Sequence, residues 1–506
     1  MLSWFHTGSW PILSVLTFLP LAGLLALPLL RSDRGVKIWT LAVTLLTALC
    51  SVPLYTGFDA STANYQFLEK LPWIPSFNIN YALGVDGISL LLVLMTTFLT
   101  PLCILCSWQA ISTRVKEFMV CILVMETAML GVFLALDFVL FYIFWEAMLI
   151  PMFLLIGIWG GPRKIYASVK FFLYTLAGSV LLPVAMIALY LHSPTHTFSI
   201  PELMSQPYSA TLQCWVFLAF FAAFAIKVPM FPFHTWLPAA HVEAPTAGSV
   251  LLASVLLKMG GYGFLRFCLP MTPLGVQAFG PYVLALSIAG IVYGGLTALA
   301  QSDMKRLVAY SSVAHMGFVT LGIFVLNVNG INGAILQMIN HGITTGALFL
   351  CVGMIYERTH SRELSKATGI GKVMPVYVTL LTVFGLSSLA FPGTNSFVGE
   401  FLVLVGGFAY SKILGLLAIP GVVLGAAYML RMLQRIIWGG TNNPDTSYLK
   451  DLNVREIITL APLVALVLWI GFAPGPLLHV MDASVTHLVE QFQAGVVSVD
   501  GRMLGK

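Results

Sequence analysis

The sequence predicts an all-α polytopic membrane protein with about fourteen transmembrane helices, and three observations carry that prediction. Of 506 residues, 58% are hydrophobic and only 9% charged, whereas soluble domains carry about 25% charged residues. Apolar windows of about twenty residues, long enough to cross a hydrocarbon core, recur from end to end. No polar stretch leaves room for an extramembrane globular domain, so residues 1–506 read as one membrane domain. The first apolar run, Pro11 to Leu30, is too long for a signal-peptide core. It also lacks a basic lead-in and is followed by Arg31 and Arg34, so no cleavable leader is expected.

In chain order the spans are expected at residues 11–30, 37–56, 87–108, 117–136, 138–158, 166–191, 213–231, 245–267, 277–300, 305–326, 331–356, 374–409, 412–437 and 455–477. Two are unusual. The seventh runs into KVPMFPFHTWLP, where Pro229 and Pro232 remove backbone donors and break the helix. The twelfth is too long for one crossing and is interrupted at Pro392-Gly393. Broken helices persist in membranes only where they are buried in protein or line a water-filled cavity. Residues 478–506 form an amphipathic tail, with Met481 to Gln493 expected to lie along the surface.

Charge placement orients these spans. With loops assigned alternately to two sides, seventeen of the 25 Lys and Arg fall on one side. Five fall on the other, namely Lys70, Arg266, Lys412, Arg502 and Lys506, and three lie within spans. This positive-inside bias puts both termini outside the cytoplasm or its equivalent, which is the periplasmic side if the membrane is a bacterial cytoplasmic one. An internal echo follows. Glu146 to Lys227 is 81 residues, His315 to Glu400 is 85, and the breaks at Pro229 and Pro392 are 163 residues apart. Spans 4–8 (117–267) would then match spans 9–13 (277–437). Five is odd, so the two copies would be inverted, as in many transporters.

The central fact is the set of ionisable residues inside apolar spans: Glu126, Glu146, Lys227, Lys258, His315, His341, Glu400 and Arg431. A charge at the bilayer centre costs about 3 kcal/mol on insertion scales. Eight such groups must therefore face one another, a polar cavity or trapped water. Protons suit this set, because every residue type in it except arginine binds and releases one. Glu146 and Lys227 form the leading pair, with Lys227 just before the first break. At about 4 Å and an effective dielectric of about 20 their attraction is roughly 4 kcal/mol, or about three pKa units. Separating them would make Lys227 release its proton; the alternative is a static ion pair. Lys258 stands among apolar neighbours beside Gly260, Gly261 and Gly263, which permit close helix approach. His315 and His341 neighbour Ser311, Ser312, Gln337 and Asn340, which suggests a wet interior, although a membrane histidine also serves as a packing residue. Glu400 follows the second break as the last acid. His234 and His241 flank the first break, where they feed protons to Lys227 or cap unwound backbone.

Cys103 and Cys106 form a CxxC inside an apolar helix with no second pair, and read as packing residues. No glycine-rich dinucleotide fingerprint, phosphate loop or iron–sulfur spacing occurs.

Four stretches carry a family resemblance: FWEAMLIPM, IKVPMFPFHTWLPAAHVEAPTAGSVLLASVLLK, SDMKRLVAYSSVAHMGF and FPGTNSFVGEF. They resemble the proton-translocating, antiporter-like membrane subunits of respiratory complex I (NADH–quinone oxidoreductase), and also subunits of multisubunit cation/proton antiporters. The likeness covers nearly the whole chain. Glu400 points to the M-type branch, because the L- and N-type members and the antiporters carry lysine there. The resemblance implies fourteen core helices, inverted five-helix repeats and broken helices 7 and 12. It implies a relay in which Glu146 and Lys227 are the helix-five/helix-seven pair, Lys258 the central member and Glu400 the outer-half terminus. It also implies that flavin, iron–sulfur clusters and quinone belong to partner subunits, that no cofactor sits in this chain, and that L-like and N-like subunits flank it. One departure stands out: the family block often reads PDAH, whereas here it is Pro238-Ala239-Ala240-His241. The alternatives are a subunit of a cation/proton antiporter or membrane-bound hydrogenase, or a scaffold that conducts nothing.

Overall fold

The computed structural model describes residues 11–439 and 449–503. Among these, thirteen helices are long and apolar enough to cross a membrane. They are α1 (Ile12–Leu29), α2 (Asp33–Thr56), α3 (Gly87–Ala110), α4 (Val115–Leu134), α5 (Phe138–Trp159), α6 (Lys164–His192), α7a (Ala210–Lys227), α8 (Thr246–Met271), α9 (Pro273–Leu299), α10 (Met304–Phe324), α11 (Val328–Thr359), α13 (Lys412–Trp438) and α14 (Val454–Phe472). The short helix Trp236–Glu243 is α7b, and the shorter apolar pair Pro375–Ser388 and Asn395–Tyr410 are α12a and α12b. The seventh element stops at Lys227, one residue before the run containing Pro229 and Pro232. The twelfth is interrupted across Pro392-Gly393, where Gly393 has φ +91°, a backbone state glycine adopts at little cost.

Burial sorts the helices into an inner and an outer set. Helix α8 is enclosed by protein along almost all its length, α11 through its middle and α10 nearly so, while α1, α2, α13 and α14 turn most of their surface outward. An apolar helix gains little by hiding from lipid, so small residues and hydrogen bonds position the inner three. Where α8 meets α11, the Ser254 hydroxyl donates to the carbonyl of Gly342 at 2.7 Å. A Cβ on Gly342 would sit 3.0 Å from the Ser254 carbonyl, so only glycine permits that approach.

Several features differ from expectation. Residues Gln66–Ile74 (β1) and Ile79–Val85 (β2) form an antiparallel hairpin, turned at Asn78 with φ 53°. Its Glu69 caps α1 by accepting from the backbone of Leu13 at 2.7 Å and Ser14 at 3.1 Å, a favourable site for an anion. Helix α8 contains two π-helical segments, Leu252–Leu256 and Phe264–Cys268. Such bulges leave no mark in hydropathy, and they flank Lys258. The tail is a helix of 29 residues, Gly475–Met503 (α15), docked on the bundle. Ser484 accepts from the backbone of Gly87 at 3.0 Å, which ties the tail to the start of α3. The last part of the expected tail, 504–506, lies outside the described residues. Arg266, assigned to a loop from sequence, is buried within α8.

Asp137 lies between α4 and α5 and caps the latter. Its carboxylate accepts from the backbone of Val139 and of Asn80, each at 2.9 Å. Burial pushes its pKa up to about 6, above the unperturbed value of about 3.9. The folded state therefore holds the proton more tightly. This stabilisation is complete below about pH 4 and lost as pH rises through about 6. Asp137→Asn has no such loss, so its melting temperature relative to the native chain should climb between pH 4 and pH 7. A difference independent of pH across that window would refute this assignment.

Candidate functional site

The break after α7a sets the first part of the site. Lys227, the last residue of α7a, is buried, and its ammonium has no hydrogen-bond partner. It lies 5.0 Å from the centre of the Trp145 ring, a cation–π contact. The Trp145 indole is fixed by donating to Ser179 at 3.0 Å. Glu146 follows Trp145 on α5, within electrostatic range of Lys227 and beside Tyr142 and Ser179. Its Oε1 has no partner. The expected pair is thus neighbouring but not in direct contact, and Trp145, which hydropathy hid among apolar residues, lies over the lysine.

The second part is a connected file across the inner helices. The Lys258 ammonium donates to the carbonyl of Ala253, inside the first π-segment of α8. It lies 2.6 Å from His341 Nδ1 on α11. The His341 ring meets His315 of α10 edge-on, with centroids 5.7 Å apart. His315 Nδ1 is 2.9 Å from Glu400 Oε1 on α12b, and Gln337 donates to the same oxygen at 3.0 Å. Ser388 and Tyr428 each approach His315 Nε2 at 3.4 Å. Gly399 lets α12b reach α11, since a Cβ there would be 2.7 Å from Gln337 Oε1. Close by, Asn340 donates to the carbonyl of Asn395 at 2.7 Å, and Ser387 to the Asn395 side chain at 2.5 Å. The first bond ties α12b to α11, and the second joins the two halves of the broken twelfth element.

The other expected residues are distributed less evenly. His241 is buried on α7b, stacked on Phe349 at 4.5 Å with neither ring nitrogen partnered. It lies within electrostatic range of Lys258 and Lys305. His234, in the break, packs edge-on to Tyr293 at 5.0 Å with Nδ1 unpartnered. Glu126 is fully buried on α4 beside Thr100 and Cys103 of α3, and neither carboxylate oxygen has a hydrogen-bond partner. Arg431 departs from expectation. It is exposed on α13 and donates to the carbonyl of Leu299 at 2.8 Å, at the last residue of α9. A cation at a helix C-terminus meets the negative end of the helix dipole, which accounts for its place outside the buried file. Cys103 and Cys106 pack within α3, the Cys106 thiol turned to the Cys103 carbonyl at 3.2 Å.

A further cluster gathers Glu243, Asp303 and Lys305 from the quoted motifs with Arg163 and Arg362 from outside them. Glu243 on α7b accepts from the backbone of Arg163 at 3.0 Å and lies 4.0 Å from Arg362. Arg362 pairs with Asp303 at 3.5 Å, and the buried Lys305 donates to the carbonyl of Ala244 at 2.8 Å. A polar cavity of about 320 Å³ opens against Glu243, Arg163, Lys170, Arg306 and Tyr310. Among the described residues no group of three or more His, Cys, Asp or Glu could hold a metal ion. The site contains groups that bind and release protons, several with free valences, in a file enclosed by apolar helices.

Residues 135–425 match the family described as NADH:quinone oxidoreductase/Mrp antiporter, TM, and residues 15–132 match NADH-ubiquinone oxidoreductase chain 4, amino terminus. The chain is 49% identical to NADH-quinone oxidoreductase subunit M of Rhodobacter capsulatus, over 96% of this chain and 97% of that protein. It is 44% identical to NADH-ubiquinone oxidoreductase chain 4 of Marchantia polymorpha, over 94% and 97%. Its fold is similar to a chain of respiratory complex I from Thermus thermophilus with bound NADH, with TM-score 0.86 and 31% identity. That likeness covers 94% of this chain and 99% of the other.

Proposed function

Because the chain belongs to the subunit M/chain 4 family of antiporter-like membrane subunits of NADH-quinone oxidoreductase, we propose that it moves protons through its buried Glu, Lys and His residues. Electron transfer occurs in other subunits, which carry the flavin, iron–sulfur clusters and quinone site; this chain needs no cofactor of its own. Helices α4–α8 and α9–α13 act as two inverted repeats, one centred on each broken element. The basic face is cytoplasmic, with both termini on the far side.

The observation that carries this proposal is the file Lys258–His341–His315–Glu400, hydrogen-bonded at its two ends and joined in the middle by edge-on contact of the two imidazoles. A perturbation from the neighbouring subunit shifts Glu146 relative to Lys227. The two are close enough to feel each other's charge yet untied by a direct bond, so a small movement changes the proton affinity of Lys227. Lys227 passes its proton to Lys258, and the two imidazoles hand it to Glu400. Each imidazole accepts on one nitrogen and releases from the other. His234 and His241 sit on the uptake side of this path, and Glu126 and Arg431 act only through packing and helix capping.

Lys258→Met tests this in the assembled complex reconstituted in liposomes. Proton pumping should fall about tenfold, the loss expected from one missing charged hydrogen bond in the transfer path. Native pumping from an assembled variant would exclude Lys258 as a carrier, and the chain would then serve as a scaffold between its neighbours.

A further inference from the structure

We infer that Arg266, with Asp86, Tyr65 and Tyr262, is a proton seal that closes the relay off between Lys258 and the face opposite the basic one. The inference rests on the relay role proposed for Lys258.

Lys258 and Tyr262, four residues apart, share one face of α8, and Arg266 in the second π-helical segment turns to the same side, where it meets the Tyr262 hydroxyl. At 1.5 Å per residue, Arg266 lies about 12 Å further along the axis. Its guanidinium sits between two phenol rings, 5.2 Å from the centres of Tyr65 and of Tyr262. Nε donates to the Tyr262 hydroxyl at 3.2 Å, Nη1 to the Tyr65 hydroxyl at 2.9 Å, and Nη2 to Asp86 Oδ1 at 2.7 Å. The same Asp86 oxygen accepts from the backbone of Ile88 at 3.2 Å and Ser89 at 3.0 Å. The Tyr262 hydroxyl proton goes to the carbonyl of Phe133 at 3.3 Å, and that of Tyr65 to Met204 Sδ at 3.9 Å. Burial also pushes the Tyr65 phenol above its ordinary range, so it keeps its proton. On the outer side, a cavity of about 270 Å³ has Tyr65 in its wall with Glu69, Lys70, Asp137 and Glu202.

A proton wire needs, at every link, one atom that accepts and another that releases. A guanidinium has five donors, no acceptor, and does not deprotonate in proteins. Both phenol protons here are committed to acceptors that do not titrate. Water arriving from the outer cavity therefore ends at Tyr65 and Arg266. Several polar atoms along the relay are open: Glu146 Oε1, Lys227 Nζ, both ring nitrogens of His241, and His341 Nε2 have no partner, and neither do the two carboxylate oxygens of Glu126 on α4. Water can attach where polar atoms are free, whereas in the Arg266 cluster all three guanidinium nitrogens, both phenol hydroxyls and Asp86 Oδ1 are engaged. The two patterns divide the polar interior into a conducting part and a closed one.

The cluster also joins α8 to α3 and to the segment leading into the hairpin, so the test must distinguish sealing from folding. The measurement is passive proton leak into liposomes containing the assembled complex, with no electron donor, under an imposed potassium diffusion potential and read by an enclosed pH dye. Arg266→Gln should raise the leak about tenfold, the effect of losing one charged hydrogen bond, while electron transfer from added donor persists. Tyr262→Phe keeps the ring packed edge-on to Phe133 at 5.3 Å and frees one guanidinium donor. Its leak should rise about twofold, a fraction of one hydrogen bond. Arg266→Gln combined with Lys258→Met should return to the native leak. Native leak in assembled Arg266→Gln overturns the seal. If that variant fails to assemble, native leak in Tyr262→Phe does so instead. Normal pumping by Lys258→Met would overturn the relay proposal, a result visible in a separate assay.

Discussion

Lys227→Ala should lower proton pumping by the assembled complex at least about tenfold, within the range for removing a positioned proton-transfer group, while leaving assembly intact. The structural cost of this substitution is small for a specific reason. The Lys227 ammonium makes no hydrogen bond, so its loss orphans no partner, and Trp145 stays anchored by Ser179. Glu146→Ala should have the same effect, because the two residues act through each other's charge. The double variant should then be no worse than either single one, since groups that work as a unit lose their effect together. The readout is the ratio of protons moved to electrons passed, alongside the amount of assembled complex. Unchanged pumping in both single variants, or loss of assembly in both, would support a scaffold and not a conductor.

Glu400→Gln is the second large effect. The amide keeps the length and shape of the side chain, so α12b should remain against α11, but it cannot bind and release a proton at neutral pH. His315 Nδ1, now 2.9 Å from a carboxylate oxygen, would face a neutral group and lose its acceptor for the transferred proton. Pumping should fall at least about tenfold. Glu400→Asp retains the carboxyl but shortens the reach by one methylene, so it should recover part of the activity. If glutamine and aspartate behave alike, the acid holds the helices together and does not carry protons.

Much of this was legible in the residues, and the reason is energetic. A bilayer penalises charge and unpaired backbone so heavily that each exception is visible as a letter in an apolar run. Pro229, Pro232 and Pro392-Gly393 mark both breaks, and Lys258, His315, His341 and Glu400 stand out as four of the eight ionisable residues in apolar spans. Arg431 and Arg266 were misplaced because a sequence gives depth along a helix but not the direction a side chain faces. Arg431 turns outward to cap α9, and Arg266 turns inward to Asp86, 180 residues away in the chain.

The sequence by itself determined that the chain lives in a membrane, where its helices break, and which residue types carry charge inside it. Single-residue cost decides those properties. Only the tertiary structure decided which charges meet. The Lys258–His341 contact spans 83 residues and the His315–Glu400 contact 85. Close helix approach at Gly342 and Gly399 accompanies these contacts. Hydropathy, which sums transfer energies residue by residue, contains no distance between helices, and so it could propose the members of the file but not their order.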